Sequence, residues 1–141
     1  MPYLQLDVSH HYPSEVKRRL AQRLGNLFAN IMQTTPDKFV IAFRELGEGS
    51  LWRCGVGEPE PAAVLMCDIR CGRPAEQRAR LGEALVAACA ETLELRPTCL
   101  SVEFTQHSGD EFFRTGRGLG SDWMPAEAQS IVPKGTHTSS R

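Results

Sequence analysis

Pro2-Tyr3-Leu4-Gln5-Leu6-Asp7-Val8 and, 61 residues further on, Ala63-Val64-Leu65-Met66-Cys67-Asp68-Ile69 are two versions of one strand, and their relation decides the fold. Leu4, Leu6 and Val8 alternate with Gln5 and Asp7, the period of a strand with one buried face. The same ungapped offset brings Pro13 to Pro74, Glu15 to Glu76, Leu20 to Leu81 and Leu24 to Leu85. It goes on to match Pro36 with Pro97, Phe43 with Phe104, Arg53 with Arg114 and Gly55 with Gly116. One offset that holds over a whole unit marks an internal duplication. Two copies are too few for a solenoid, so they are expected to form one compact domain.

Each copy reads strand, helix, strand. Pro13 and Pro74 suit the first turn of a helix, where a missing N–H has no intrahelical partner anyway. Val16, Leu20, Leu24, Leu27, Phe28 and Ile31 then recur along one helical face. Leu81, Leu85, Ala88, Cys89 and Thr92 hold the same stripe with smaller groups. Pro36 and Pro97 mark the helix exits, and residues 39–45 and 100–106 read as return strands. Parallel strands joined by a helix cross over right-handedly. The predicted class is therefore α+β, with two tandem β-α-β units forming a four-stranded sheet that carries two helices on one face. The other face is left for another subunit to cover.

The expected domain spans residues 1–118, with repeat units 2–57 and 63–118, and a partly mobile tail follows over residues 119–141. Trp123 and Met124 are the residues expected to anchor its start. At 141 residues the chain has the length of one domain. A net charge of -1 argues against nucleic acid or a membrane surface as partner. No apolar run reaches the length of a membrane span, and the N-terminus lacks a basic region followed by an apolar stretch, so a cytoplasmic address is expected. Five cysteines (Cys54, Cys67, Cys71, Cys89 and Cys99) show neither a disulfide nor a zinc pattern and read as reduced thiols.

The copies differ where chemistry would sit. Removal of Met1 would turn Pro2 into a free secondary amine, able to act as base, acid or nucleophile. Copy two has the internal Ala63 at that place, but its strand-to-helix loop is Arg70-Cys71-Gly72-Arg73, where copy one has Ser9-His10-His11-Tyr12. If the first strands of the two copies are neighbours, Pro2 faces the arginine loop. Guanidiniums beside an amine favour its neutral form, and they can bind a carboxylate or stabilise a developing enolate. His10 and His11 read as surface residues. Arg117-Gly118-Leu119-Gly120 lacks the ending of a phosphate loop.

This combination resembles the tautomerase superfamily. Cys71-Gly72-Arg73-Pro74-Ala75-Glu76-Gln77-Arg78 is similar to the Gly-Arg-Ser-x-Glu-Gln-Lys stretch of 4-oxalocrotonate tautomerase, and Trp52-Arg53-Cys54-Gly55-Val56-Gly57 is similar to that family's aromatic-x-x-Gly-x-Gly segment. The fused length and Arg70-x-Gly-Arg73 resemble the cis-3-chloroacrylic acid dehalogenase group, over roughly residues 2–118. The resemblance implies a catalytic Pro2, Arg70 and Arg73 on the substrate carboxylate, a homotrimer, and no metal or organic cofactor. It implies a tautomerase acting on a small keto-enol or unsaturated keto carboxylate. The alternatives are a hydratase or dehalogenase of 3-haloacrylate-type acids, a β-keto acid decarboxylase, or a non-catalytic binding protein. Arg114 stands where the dehalogenases carry a water-activating glutamate, Leu27 near their helix histidine, and Glu103 at a strand tyrosine. The family's second substrate-binding arginine falls near Val40 and Ser101. Arg114 is therefore read as a further substrate-binding cation, with Trp52, Glu103, Phe113 and Arg117 as candidate pocket residues.

Overall fold

The alternation along the two related strands sets the layers. In β1 (Tyr3–Val8), Leu4, Leu6 and Val8 are buried, and Tyr3, Gln5 and Asp7 lie on the opposite face. The chain continues through α1 (Ser14–Met32), β2 (Val40–Glu45) and the short strands β3 (Trp52–Arg53) and β4 (Glu60–Pro61). The second unit repeats this as β5 (Ala63–Arg70), α2 (Ala75–Leu93), β6 (Leu100–His107), β7 (Phe113–Arg114) and β8 (Gly118–Leu119), before a five-residue helix α3 (Pro125–Gln129). The computed structural model describes residues 2–129, so the expectations for Met1 and residues 130–141 lie outside the described residues.

The main sheet has the order β2-β1-β5-β6. Each unit pairs its own two strands in parallel, and the units meet in the antiparallel pair β1/β5. Leu4 opposes Cys67 and Leu6 opposes Leu65. Moving either pair by the repeat offset yields the other, so the units are related by a local dyad between β1 and β5. Antiparallel pairing also sets Tyr3 against Asp68, which brings the start of β1 to the end of β5. The four-stranded α+β architecture is thus as the duplication predicts.

Each helix stripe is buried against the same face of the sheet. Leu20, Leu24, Phe28 and Met32 in α1 meet Leu81, Leu85, Cys89 and Leu93 in α2 within one apolar cluster with the inward strand residues. A fully buried side chain of this kind contributes roughly 1.5–3 kcal/mol. Cys67 and Cys89 belong to this cluster, and burial pushes both thiols up to about 12. The prolines sit one place earlier than expected, at the N-cap positions, where the carbonyls of Pro13 and Pro74 accept from Lys17 and Arg78. Gln33 and Glu94 end the two helices in the left-handed conformation, with φ of 54° and 55°. The opposite sheet face, carrying Tyr3, Val40 and Glu103, is open in the single chain.

Glu45 ties the end of β2 to the start of α1. Lys17 Nζ donates to its Oε1 at 2.7 Å, and the Tyr12 N–H donates to its Oε2. The Lys17 bond, followed by the Tyr12 N–H, holds this carboxyl below its ordinary value of 4.5. A carboxyl lowered in the folded state contributes stability that is present above its unfolded pKa and lost as pH falls through the folded one. Glu45→Gln is accordingly expected to lower Tm at neutral pH, with the difference closing as acidity increases from 4.5 downward. Thermal melts over a pH series check this, and a gap unchanged at about pH 3 would reject it.

Hydrogen bonds tie the segment that follows residue 119 to the second unit. The N–H of Trp123 donates to the Cys71 carbonyl at 2.9 Å, that of Gly120 to Gly109 at 3.1 Å, and that of Gly109 to Asp122 Oδ1 at 2.7 Å. Trp123 is 6% exposed and Met124 63%, so only the first of the two expected anchors is buried. Residues 119–129 form a strap across the loop between β5 and α2.

Candidate active site

The β1/β5 register brings Pro2 alongside the end of β5, and the N–H of Val40 donates to the Pro2 carbonyl at 3.2 Å to hold it there. Pro2, Arg70 and Arg73 line one cavity of about 170 Å³. Arg70 ends β5, and Arg73 stands in the loop before α2. Phe28 and Met32 both face inward along α1, and Phe28 supplies the apolar floor together with Ile69 and Phe112.

Two further elements complete the wall. The 3-10 turn Pro36–Lys38, after α1, contributes Lys38. The β7/β8 hairpin contributes Arg114, Arg117 and Leu119. This hairpin closes tightly because Gly116 and Gly118 adopt φ of 83° and 72°, a region that glycine enters without steric penalty. Its turn is fixed by the Arg117 N–H donating to the Arg114 carbonyl at 2.9 Å. Among the described residues, the cavity therefore collects five cationic side chains around Pro2, and no aspartate or glutamate lines it.

The strap holds two of those cations. Arg70 Nη1 donates to the Ser121 carbonyl at 3.0 Å, and its Nη2 meets Glu127 Oε2 at 2.6 Å. Arg73 is 6% exposed; its Nε donates to the Met32 carbonyl at 3.0 Å, and its guanidinium lies 4.9 Å from the Trp123 ring centroid. Burial, followed by repulsion from Arg70, lowers the Arg73 pKa to about 10, still far above neutrality. Gly72 packs directly beneath the Trp123 carbonyl.

Of the residues singled out from the sequence, Pro2, Arg70, Arg73, Arg114 and Arg117 meet in the cavity; Trp52, Glu103 and Phe113 do not line it. Trp52 belongs to the β3/β4 hairpin, which packs at the opposite end of the sheet, where Arg53 reaches Thr98 and Ser101. Glu103 opposes Met66 on the open sheet face. Phe113 points away and is 67% exposed, and its neighbour Phe112 takes the wall position. One residue of strand parity separates the two phenylalanines. Lys38 was not foreseen, although its place beside the strand that pairs with β1 follows from the repeat. Glu127 was not foreseen either, since nothing periodic precedes it.

The local dyad generates a second, smaller cavity of about 50 Å³ at the other end of β1 and β5. Ala63 takes the place of Pro2 there, with His10, Tyr12 and Cys99 nearby. The two mouths share a backbone plan and differ in chemistry.

No protein-family model and no curated protein matches the chain. Among solved structures, it is similar to N1, a member of the cis-3-chloroacrylic acid dehalogenase family, with a TM-score of 0.76 and 24% identity over 93% of this chain and 92% of N1. It is similar to Pt0534 inactivated by 2-oxo-3-pentynoate, with a TM-score of 0.71 and 20% identity over 84% of this chain and 94% of the other. A symmetric trimer of wild-type Q0 fused 4-OT aligns with a TM-score of 0.72 and 18% identity over 84% and 94%. The chain thus shares the fold of these structures, two β-α-β units side by side in one four-stranded sheet.

Proposed function

We propose that this protein is a cofactor-independent tautomerase in which Pro2, freed by removal of Met1, moves a proton within a small keto-enol or unsaturated keto carboxylate. The observation that carries this reading is the shared cavity of Pro2 with Arg70, Arg73 and Arg114. Like charges disfavour protonation, so these cations favour the neutral, basic form of the amine. In ketonisation, the neutral amine accepts the enol O–H proton. A guanidinium stabilises the enolate oxygen. The ammonium then returns the same proton to carbon, leaving the amine as it began. Amine and guanidinium suffice for each step.

The cavity's lining also bears on the alternatives. Hydration or dehalogenation calls for a carboxylate that orients water, and none lines the cavity among the described residues. The likeness to N1 is the reason to keep haloacrylates as a test arm. The half-open sheet face, together with the trimeric fused 4-OT, supports a homotrimer assembled through that face. Among the described residues, no helix is long and apolar enough to cross a membrane. A cytoplasmic address is part of the proposal.

Phenylenolpyruvate and 2-hydroxymuconate are expected to ketonise faster with the protein than without it, and cis- and trans-3-haloacrylates to release no halide. Incubation with 2-oxo-3-pentynoate is expected to add one adduct mass per chain, at Pro2. Halide release would move the assignment to the dehalogenase reading. Failure to turn over either enol, with no adduct, would leave the binding-protein reading.

A further inference from the structure

The five cavity cations fall into two sets. Arg70 and Arg73 are engaged by the chain itself, through the Ser121 carbonyl, Glu127, the Met32 carbonyl and the Trp123 ring. The side chains of Lys38, Arg114 and Arg117 make no hydrogen bond and no ion pair among the described residues. Asp37 is the carboxylate that feels Lys38 and Arg114, its pKa being lowered first by Thr35 and only lastly by those two cations.

The repeat supplies an internal control. Arg53, the counterpart of Arg114, donates to the Thr98 and Cys99 carbonyls and, at 2.9 Å, to Ser101 Oγ. Those acceptors correspond to Asp37, Lys38 and Val40, so the hydroxyl that helps hold Arg53 is replaced by a hydrocarbon side chain opposite Arg114. The equivalent arginine is tethered in one unit and released in the other, and the released one lines the cavity that contains Pro2.

We infer that the substrate carboxylate is anchored on the hairpin side of the cavity by Arg114 and Arg117 with Lys38, while Arg70 and Arg73 are positioning residues that secure the strap. This division of labour rests on the proposed reading of the cavity as a carboxylate site. Arg70 keeps its place beside Pro2 because Glu127 and Ser121 hold it, and its charge acts on the amine through space. Arg70, already balanced by Glu127, attracts a second carboxylate less than Arg114 or Arg117, which make no ion pair among the described residues. Hydrogen bonds to charged groups contribute enough that each hairpin arginine should change affinity by about tenfold.

The test is titration of the full chain with acrylate, a small unsaturated carboxylate, using uncharged acrylamide as control, followed by calorimetry. Arg114→Gln and Arg117→Gln are each expected to raise the acrylate Kd by about tenfold, and Arg117→Lys to restore part of the loss. Acrylamide binding should not follow that pattern. Glu127→Gln is expected to leave the acrylate Kd within about threefold while exposing the strap to protease, because it frees the strap and not the anchor. A Kd tightened by about tenfold in Glu127→Gln would show that Glu127 competes with the ligand for Arg70, and would overturn the inference. So would an unchanged Kd in the Arg114→Gln/Arg117→Gln double variant, or no acrylate binding by the parent chain. Acrylate binding with the expected pattern, but without ketonisation, would overturn the tautomerase reading and leave the anchor standing.

Discussion

Ketonisation of phenylenolpyruvate is expected to fall by about 10²–10⁴-fold in Pro2→Ala, the range typical of a positioned general base. Alanine at the terminus still offers a primary amine, so a residual rate is expected, with altered pH dependence. A chain bearing an uncleaved N-terminal extension makes the sharper comparison. There the Pro2 nitrogen is an amide, without basicity at neutral pH, and the whole amine-dependent rate should vanish. In the processed chain the base form is the neutral amine, so activity rises with pH through the amine's pKa. The surrounding cations place that rise lower than the same amine would show without them. Arg70→Gln, which removes one of them, should shift it upward. Rate measurements between about pH 5 and 9, alongside NMR titration of the terminal amine, read both effects. Equal turnover in the parent, Pro2→Ala and extended chains would remove Pro2 from the chemistry.

Gly72→Ala is expected to cost on the order of 3 kcal/mol and to release the strap. Gly72 holds φ at +127°, where a side chain is strained by roughly 1–3 kcal/mol. A Cβ there would also overlap the Trp123 carbonyl oxygen, which is backbone and cannot rotate aside. Relief requires moving Trp123, breaking its bond to Cys71 and uncovering the Arg73 guanidinium. Chemical denaturation should report the lost stability, and limited proteolysis should cut near Met124 in the variant before the parent. If the variant melts with the parent and resists cleavage equally, the strap is not seated as described.

What the sequence made legible follows from what repeats. The 61-residue offset contains strand, helix and strand twice over, and two copies of one backbone plan leave few ways to share a sheet. Alternation at Leu4, Leu6 and Val8 and the stripe through Leu20, Leu24 and Phe28 therefore predicted both the layers and the core. The meeting of Pro2 with Arg70 and Arg73 was legible for the same reason, once β1 and β5 were neighbours. Single features without a partner in the repeat were harder to place. Phe112 and Phe113 differ by one strand position, and no pattern in a two-residue strand says which turns inward. Trp52 was grouped with the cavity by its aromatic character, but the dyad carries its hairpin to the far end. Residues 119–129 have no counterpart between the units that would give a period, so the contact of Glu127 with Arg70 left no trace in composition or spacing.

The dyad between β1 and β5 carries a numerical consequence for reactivity. A polypeptide has a single beginning, so doubling the unit within one chain duplicates the mouth and leaves the amine single. Ala63 is flanked by peptide bonds on both sides, and the smaller mouth beside His10 and Cys99 can never acquire a terminal nitrogen. A reagent specific for that nitrogen should therefore saturate at one equivalent per polypeptide, whatever the number of polypeptides that assemble.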